Sequence, residues 1–211
     1  MHKYQPKTTE ELIEAIGKEI YEVQGTPDNP NWEADLNCID TSNITDMSEL
    51  FAIEVFENFN GDISKWNVSN VKHMSAMFLG SKFNGNISEW NVSNVIDMSY
   101  MFENTPFNQD ISSWDVCNVE DMSWMFRNTP FNQDISGWNI HNVRDMFGMF
   151  EDSQFNKDIS KWDLSNVKFK QDMLKDTPLE KRLQKLQEQE LKVDINDEDV
   201  DVDNDEVEIG R

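Results

Sequence analysis

One row of tryptophans limits what this chain can become. Trp66, Trp90, Trp114, Trp138 and Trp162 stand 24 residues apart, and Phe59, Phe83, Phe107, Phe131 and Phe155 keep the same spacing, as do Asn70, Asn94, Asn118, Asn142 and Asn166. Three rows in one phase mark an internal repeat, and such units bury their apolar edges only by stacking on their neighbours. The unit reads F-N-x-[D/N]-I-S-x-W-[N/D]-V-x-N-V-x-D-M-S-x-M-F plus four further residues, with Ile140 and Leu164 replacing Val in the later copies. A degenerate first copy runs through Leu36, Ile39, Thr41, Asn43, Ile44, Met47, Leu50 and Phe51. Asn43 precedes Asn70 by 27 residues, so three extra residues fall in the loop 52–58, giving six coils.

Within a unit the apolar period changes. Trp66 and Val68 alternate with Asn67 and Ser69, which predicts a short strand with one buried face. Met74, Met77 and Phe78 recur at i, i+3 and i+4, which predicts one helical turn. The expected fold is an α/β repeat solenoid, one short strand plus one helical turn per 24-residue coil, about six coils, with helical caps at both ends. In that frame each Trp covers the Trp of the coil before it, and the Asn row satisfies backbone groups at a corner because an amide both donates and accepts. Asp97, Asp121 and Asp145 stand where a carboxylate can cap backbone N–H groups, a row broken by His73 and Phe169.

The ends read differently. Thr8 to Glu11 forms a capping box ahead of Leu12, Ile13, Ile16 and Ile20, and Thr177 to Glu180 forms a second ahead of Leu179, Leu183 and Leu186. The expected organisation is an N-terminal helical cap at 1–35, the repeat solenoid at 36–178, a C-terminal capping helix at 178–193 and an acidic disordered tail at 194–211. That tail carries nine acidic and no basic residues between Asp194 and Glu208, a composition that does not fold. Its alternate Asp residues resemble a calcium loop, but Val202 stands where the turn needs Gly.

Composition excludes several functions. A formal charge of −23 opposes phosphate contacts and hence nucleic-acid binding. No run approaches a membrane span. Cys38 and Cys117 occupy non-equivalent repeat positions and suggest neither disulfide nor metal site. His2, His73 and His141 are scattered, no phosphate loop or nucleophile motif occurs, and Asp62, Asp110, Asp134 and Asp158 recur as turn-formers, so neither enzyme, cofactor nor metal is expected.

The segments FNQDISSWDV (107–116) and DMSYMF (97–102) resemble the BspA-like leucine-rich-repeat surface proteins, also met as mycoplasma lipoprotein-associated and listerial surface-protein repeats. The likeness covers residues 36–178. It implies a leucine-rich-repeat-like solenoid in which Ile63, Trp66 and Val68 take the leucine positions and Asn70 the corner. It also implies surface exposure and adhesion or host-protein binding without a catalytic residue. The N-terminus lacks an apolar leader and no lipobox or wall anchor is seen, so the sequence itself points to the cytoplasm, whereas the resemblance points to a surface or a particle.

Exposed positions that differ between copies are free of the packing code. These are Lys65, Glu89, Ser113, Gly137 and Lys161; Ser69, Ser93, Cys117, His141 and Ser165; and Ala76, Tyr100, Trp124 and Gly148. The first two sets, with Asn67, Asn91, Asp115, Asn139 and Asp163 between them, are expected to line a sheet face. Tyr100 and Trp124 are expected on the helical side as interface anchors, unless Trp124 folds back over a neighbouring coil. The expected function is a non-catalytic protein-binding or adhesion scaffold with a protein ligand. The alternative is a structural subunit of a virus or phage particle. An acidic nucleic-acid mimic has the least support, because nine acidic residues lie in the tail.

Overall fold

A computed structural model describes residues 2–52 and 54–198, with side chains to residue 189. Helix α1 (Thr9–Lys18) runs into a π-helical turn (Glu19–Val23), and helix α2 (Pro178–Glu198) lies at the other end. Among the described residues there is neither helix nor strand between them. Pairing there consists of isolated single-residue bridges, and a parallel series of them joins Asp46, His73, Asp97, Asp121, Asp145 and Phe169 in succession. The expected α/β solenoid, leucine-rich-repeat-like with a strand and a helical turn in each coil, is therefore not what the chain forms.

The physical reason is a chain that turns every few residues. Trp66 N–H donates to the Ile63 carbonyl at 3.1 Å and Val71 N–H to Val68 at 2.9 Å, so the alternating Trp and Val sit in consecutive tight turns. Aspartate and asparagine side chains hold further turns by accepting the N–H two residues on. Asp62 Oδ1 takes Ser64 N–H at 2.9 Å, Asn67 Oδ1 takes Ser69 N–H at 3.1 Å, and Asp97 Oδ1 takes Ser99 N–H at 2.9 Å. The Met-x-x-Met-Phe segment cannot be helical either. Ala76, Tyr100 and Trp124 have φ of 52°, 58° and 58°, and Asn104, Asn128 and Asp152 have 58°, 51° and 58°. These are left-handed residues, which right-handed helices exclude.

Hydrogen bonds in this segment divide by parity. The N–H groups of Met74, Ala76, Phe78 and Gly80 donate to the next coil at Asp97, Ser99, Met101 and Glu103. Those of Met77, Leu79 and Ser81 close turns onto Met74, Ala76 and Phe78. In this segment the donors are thus used alternately across and within coils. The Asn row adds a rung, Asn118 Nδ2 donating to the Ser93 carbonyl at 2.7 Å and Asn142 to Cys117 at 2.7 Å.

Two phenylalanine columns fill the interior. Phe51, Phe78, Phe102, Phe126 and Phe150 stack with centroids 5.3 to 5.7 Å apart. Phe59, Phe83, Phe107, Phe131 and Phe155 follow at 6.3 to 6.4 Å. Cross-contacts such as Phe102–Phe107 at 3.9 Å tie the columns together. Each tryptophan joins them through phenylalanine instead of covering the indole before it. Trp90 lies 6.5 Å from Phe78, and its Nε1 donates to the Ile63 carbonyl at 3.1 Å.

At the N-terminal end Leu12, Ile16 and Ile20 of the first helical segment are buried in the same core. Thr8 Oγ accepts Glu11 N–H, while the Glu11 carboxylate reaches Lys7 N–H. At the other end Leu179 is buried, its N–H donating to the Phe155 carbonyl. Leu183 and Leu186 are exposed, so among the described side chains of α2 it is the first turn that covers the core. The segment expected as an acidic tail begins inside α2, and residues 199–211, with most of the suggested calcium loop, lie outside the described residues.

Phe102 touches rings on every side, so Phe102→Ala is expected to cost about 3–5 kcal/mol, read as a lower denaturant midpoint in guanidinium titration. A second expectation concerns pH. Backbone and hydroxyl hydrogen bonds from Ser112 hold the Asp110 carboxyl below the ordinary range. Its stabilising effect is complete above the unfolded pKa of about 3.9 and is lost as pH falls through the lower folded value. Burial, with the Asp145 and Asp97 charges, pushes Asp121 up. Its effect has the opposite sign, favouring the fold below about pH 3.9 and fading as pH rises through the folded value. Asp121→Asn, which keeps the acceptor for Ser123 N–H, should therefore raise the denaturation midpoint at neutral pH and lose that advantage near pH 3.

Candidate functional site

Two exposed faces carry the residues singled out in the sequence. On the first, side-chain turns fix the rows: the Oδ1 atoms of Asn67, Asn91, Asp115, Asn139 and Asp163 accept the N–H two residues on at 3.0 to 3.2 Å. Those five residues are exposed, as are Lys65, Glu89, Ser113, His141 and Lys161. No sheet underlies them. The coils bring Asn139, His141, Lys161 and Asp163 together in one groove with Cys117, Asn118 and Asn142, floored by Trp138, Ile140 and Trp162. Lys65, Asn67, Glu89, Asn91, Ser113 and Asp115 lie on earlier coils of the same rows, outside that groove. The Trp66 and Asn70 rows do structural work: the indoles are buried, and the Asn70 amide donates to the Ser42 carbonyl at 2.7 Å.

Two groups of the groove are shifted by their neighbours. Hydrogen bonds from Ser165, aided by His141, hold the Asp163 carboxyl low, so it is charged at neutral pH. The Asp115 carboxylate, hydrogen-bonded to Cys117, and burial push the Cys117 thiol up. A protonated thiol is a poor nucleophile although His141 holds the equivalent place one coil on. Among the described residues no cluster of His, Cys, Asp and Glu is arranged to hold a metal ion.

Tyr100 and Trp124 lie on the second face, over the methionine turns, away from the groove. Their rings are 6.3 Å apart at 18°, and Trp124 meets Phe147 at 5.0 Å. Trp124 folds back over Gly148, where an added Cβ would come within 2.7 Å of the indole; it is half-buried, while Tyr100 remains 38% exposed. The Arg127 guanidinium sits 4.8 Å from the Trp124 ring centre. Arg127 also pairs with the buried Glu103 at 2.8 Å and approaches buried Glu151 at 3.5 Å, and Lys175 closes on Glu151 from the next coil. This network escaped the sequence reading. Its signal was there: Glu103, Arg127, Glu151 and Lys175 alternate in sign at the repeat spacing.

No helix among the described residues is long and apolar enough to cross a membrane. No curated protein and no solved structure matches this chain. A family model described as "Mycoplasma protein of unknown function, DUF285" matches residues 23–130 and, again, 105–193. Those two spans take in every coil of the repeat stack, and on that ground the chain is a repeat protein that belongs to the DUF285 family.

Proposed function

We propose that this chain is a non-catalytic protein-binding scaffold that presents its ligand site on the exposed turns of the coils. The observation that supports this reading is the contrast between buried and exposed positions of the repeat. Phe, Trp and Met recur in register inside, whereas the exposed positions Lys65, Glu89, Ser113, Gly137 and Lys161 change from coil to coil, and on the row of Ser69, Ser93 and Ser165 the serine gives way to Cys117 and His141. A stack whose core is uniform can vary its surface without altering its shape, which is how repeat proteins build binding faces. The groove holding Asn139, His141, Lys161 and Asp163 combines both charge signs with amides, the chemistry of a polar protein interface. The finer kinship with BspA-like surface repeats, which would make the ligand a surface or host protein, rests on FNQDISSWDV and DMSYMF.

Photo-crosslinking tests the reading. A photoreactive amino acid placed at Asn139 or Lys161 should trap a discrete protein from extracts of the native cell, and the same group at the exposed loop residue Lys82 should not. Adducts of equal yield at all three positions, or at none, would remove the proposal.

A further inference from the structure

We infer that the face over the methionine turns docks a lysine- or arginine-rich segment of a partner protein, between the rings of Tyr100 and Trp124 and the carboxylates of Asp97, Asp121 and Asp145. The inference rests on the protein-binding reading above and adds the chemistry of the partner.

The three aspartates are bridged backbone to backbone on successive coils, and the Asp145 and Asp97 charges bear on the Asp121 carboxyl between them. One oxygen of each is committed: Asp97 Oδ1 accepts Ser99 N–H and Oγ–H, Asp121 Oδ1 accepts the same pair from Ser123, and Asp145 Oδ1 accepts Phe147 N–H. The second oxygens take no hydrogen bond from the described residues, and none of the ion pairs there involves these aspartates. Like charges on successive coils repel, and an incoming cation relieves them. The rings supply the rest of the recognition. Tyr100 presents a partly exposed ring stacked on Trp124, an apolar surface for the methylene stem of a long basic side chain.

The molecule already uses this combination once. Arg127 lies over the Trp124 ring while pairing with Glu103, so an aromatic face and a carboxylate together hold a guanidinium on this side of the coil. At Tyr100 the ring and the carboxylates are present, and among the described residues no cation lies over that ring. A second copy of the chain is a poor occupant, because two bodies of charge −23 repel. A basic segment is drawn to the same field.

The test uses the full chain and fluorescein-labelled octa-arginine, with binding read by anisotropy near physiological salt. Asp97→Asn, Asp121→Asn and Asp145→Asn are combined in one variant, and Asp199→Asn, Asp201→Asn and Asp203→Asn in a control with the same change in charge. Asparagine still accepts the N–H two residues on, as Asn67 and Asn91 do. Tyr100→Ala reproduces the left-handed Ala76 of the preceding coil, so both changes keep the turns. The face variant should bind about tenfold more weakly and Tyr100→Ala about threefold, while the control loses less than about twofold. Amide shifts on adding the peptide should centre on Ser99 to Trp124. Equal weakening by the two triple variants, or shifts outside this face, would overturn the inference. A partner trapped at Asn139 or Lys161 would be untouched by that result, which separates the two failures.

Discussion

The paired phenylalanine columns set the geometry of everything else. Rings of one column must meet those of the next coil at 5.3 to 5.7 Å, so the chain has to return to the same place after each repeat. That requirement fixes the repeat length, since a one-residue slip would carry Phe102 or Phe107 out of its column. The three extra residues between the first and second coils are tolerated because they fall in the loop, leaving Phe51 on Phe78 at 5.3 Å. Phe56, within that loop, is itself buried against the first helical segment near Gly17.

Around the columns the backbone solves the hydrogen-bond problem without sheet. Extended strands would pair both neighbours over several residues. Here, in the methionine turns, alternate N–H groups close locally and those between them reach the adjacent coil. The cost is a residue of positive φ in each methionine turn, roughly 1–2 kcal/mol for a side chain other than glycine. The same point of successive coils carries Ala76, Tyr100, Trp124 and Gly148, and of these Tyr100 is exposed and Trp124 half-buried. The strain and the aromatic face have one origin.

Much of the interior was legible because ring-bearing and methionine positions recur in phase, and recurrence survives ignorance of the backbone. Local conformation was not. Trp66 and Val68 alternate as a strand does, and Met74, Met77 and Phe78 repeat as a helix does, yet both patterns also arise from turns that bring every second or third residue inward. A finer signal was available: each complete coil carries up to three [D/N]-x-S triplets, as at Asp110, Asp121 and, with cysteine for serine, Asp115. Side-chain turns at that density leave no room for extended chain. Gly80, Asn104, Asn128 and Asp152, one residue type family at one register, marked a left-handed position in the same way. For the site, exposure of the two polar rows followed from repeat comparison, but the gathering of His141 with Lys161 depends on coil-to-coil offset, which composition does not encode.

The last coil differs from those it rests on. Phe169, 53% exposed, replaces the aspartate, the Trp162 indole N–H is buried with no partner among the described residues, and the amides of Lys170, Asp172 and Leu174 face no following coil there. Because each coil is held only by its neighbours, cohesion is a chain of joints and not a single bulk property. The joint with the fewest matched contacts yields first, so the stack frays from its sixth coil inward while the middle coils stay closed. Such a molecule has a soft end and a stiff body.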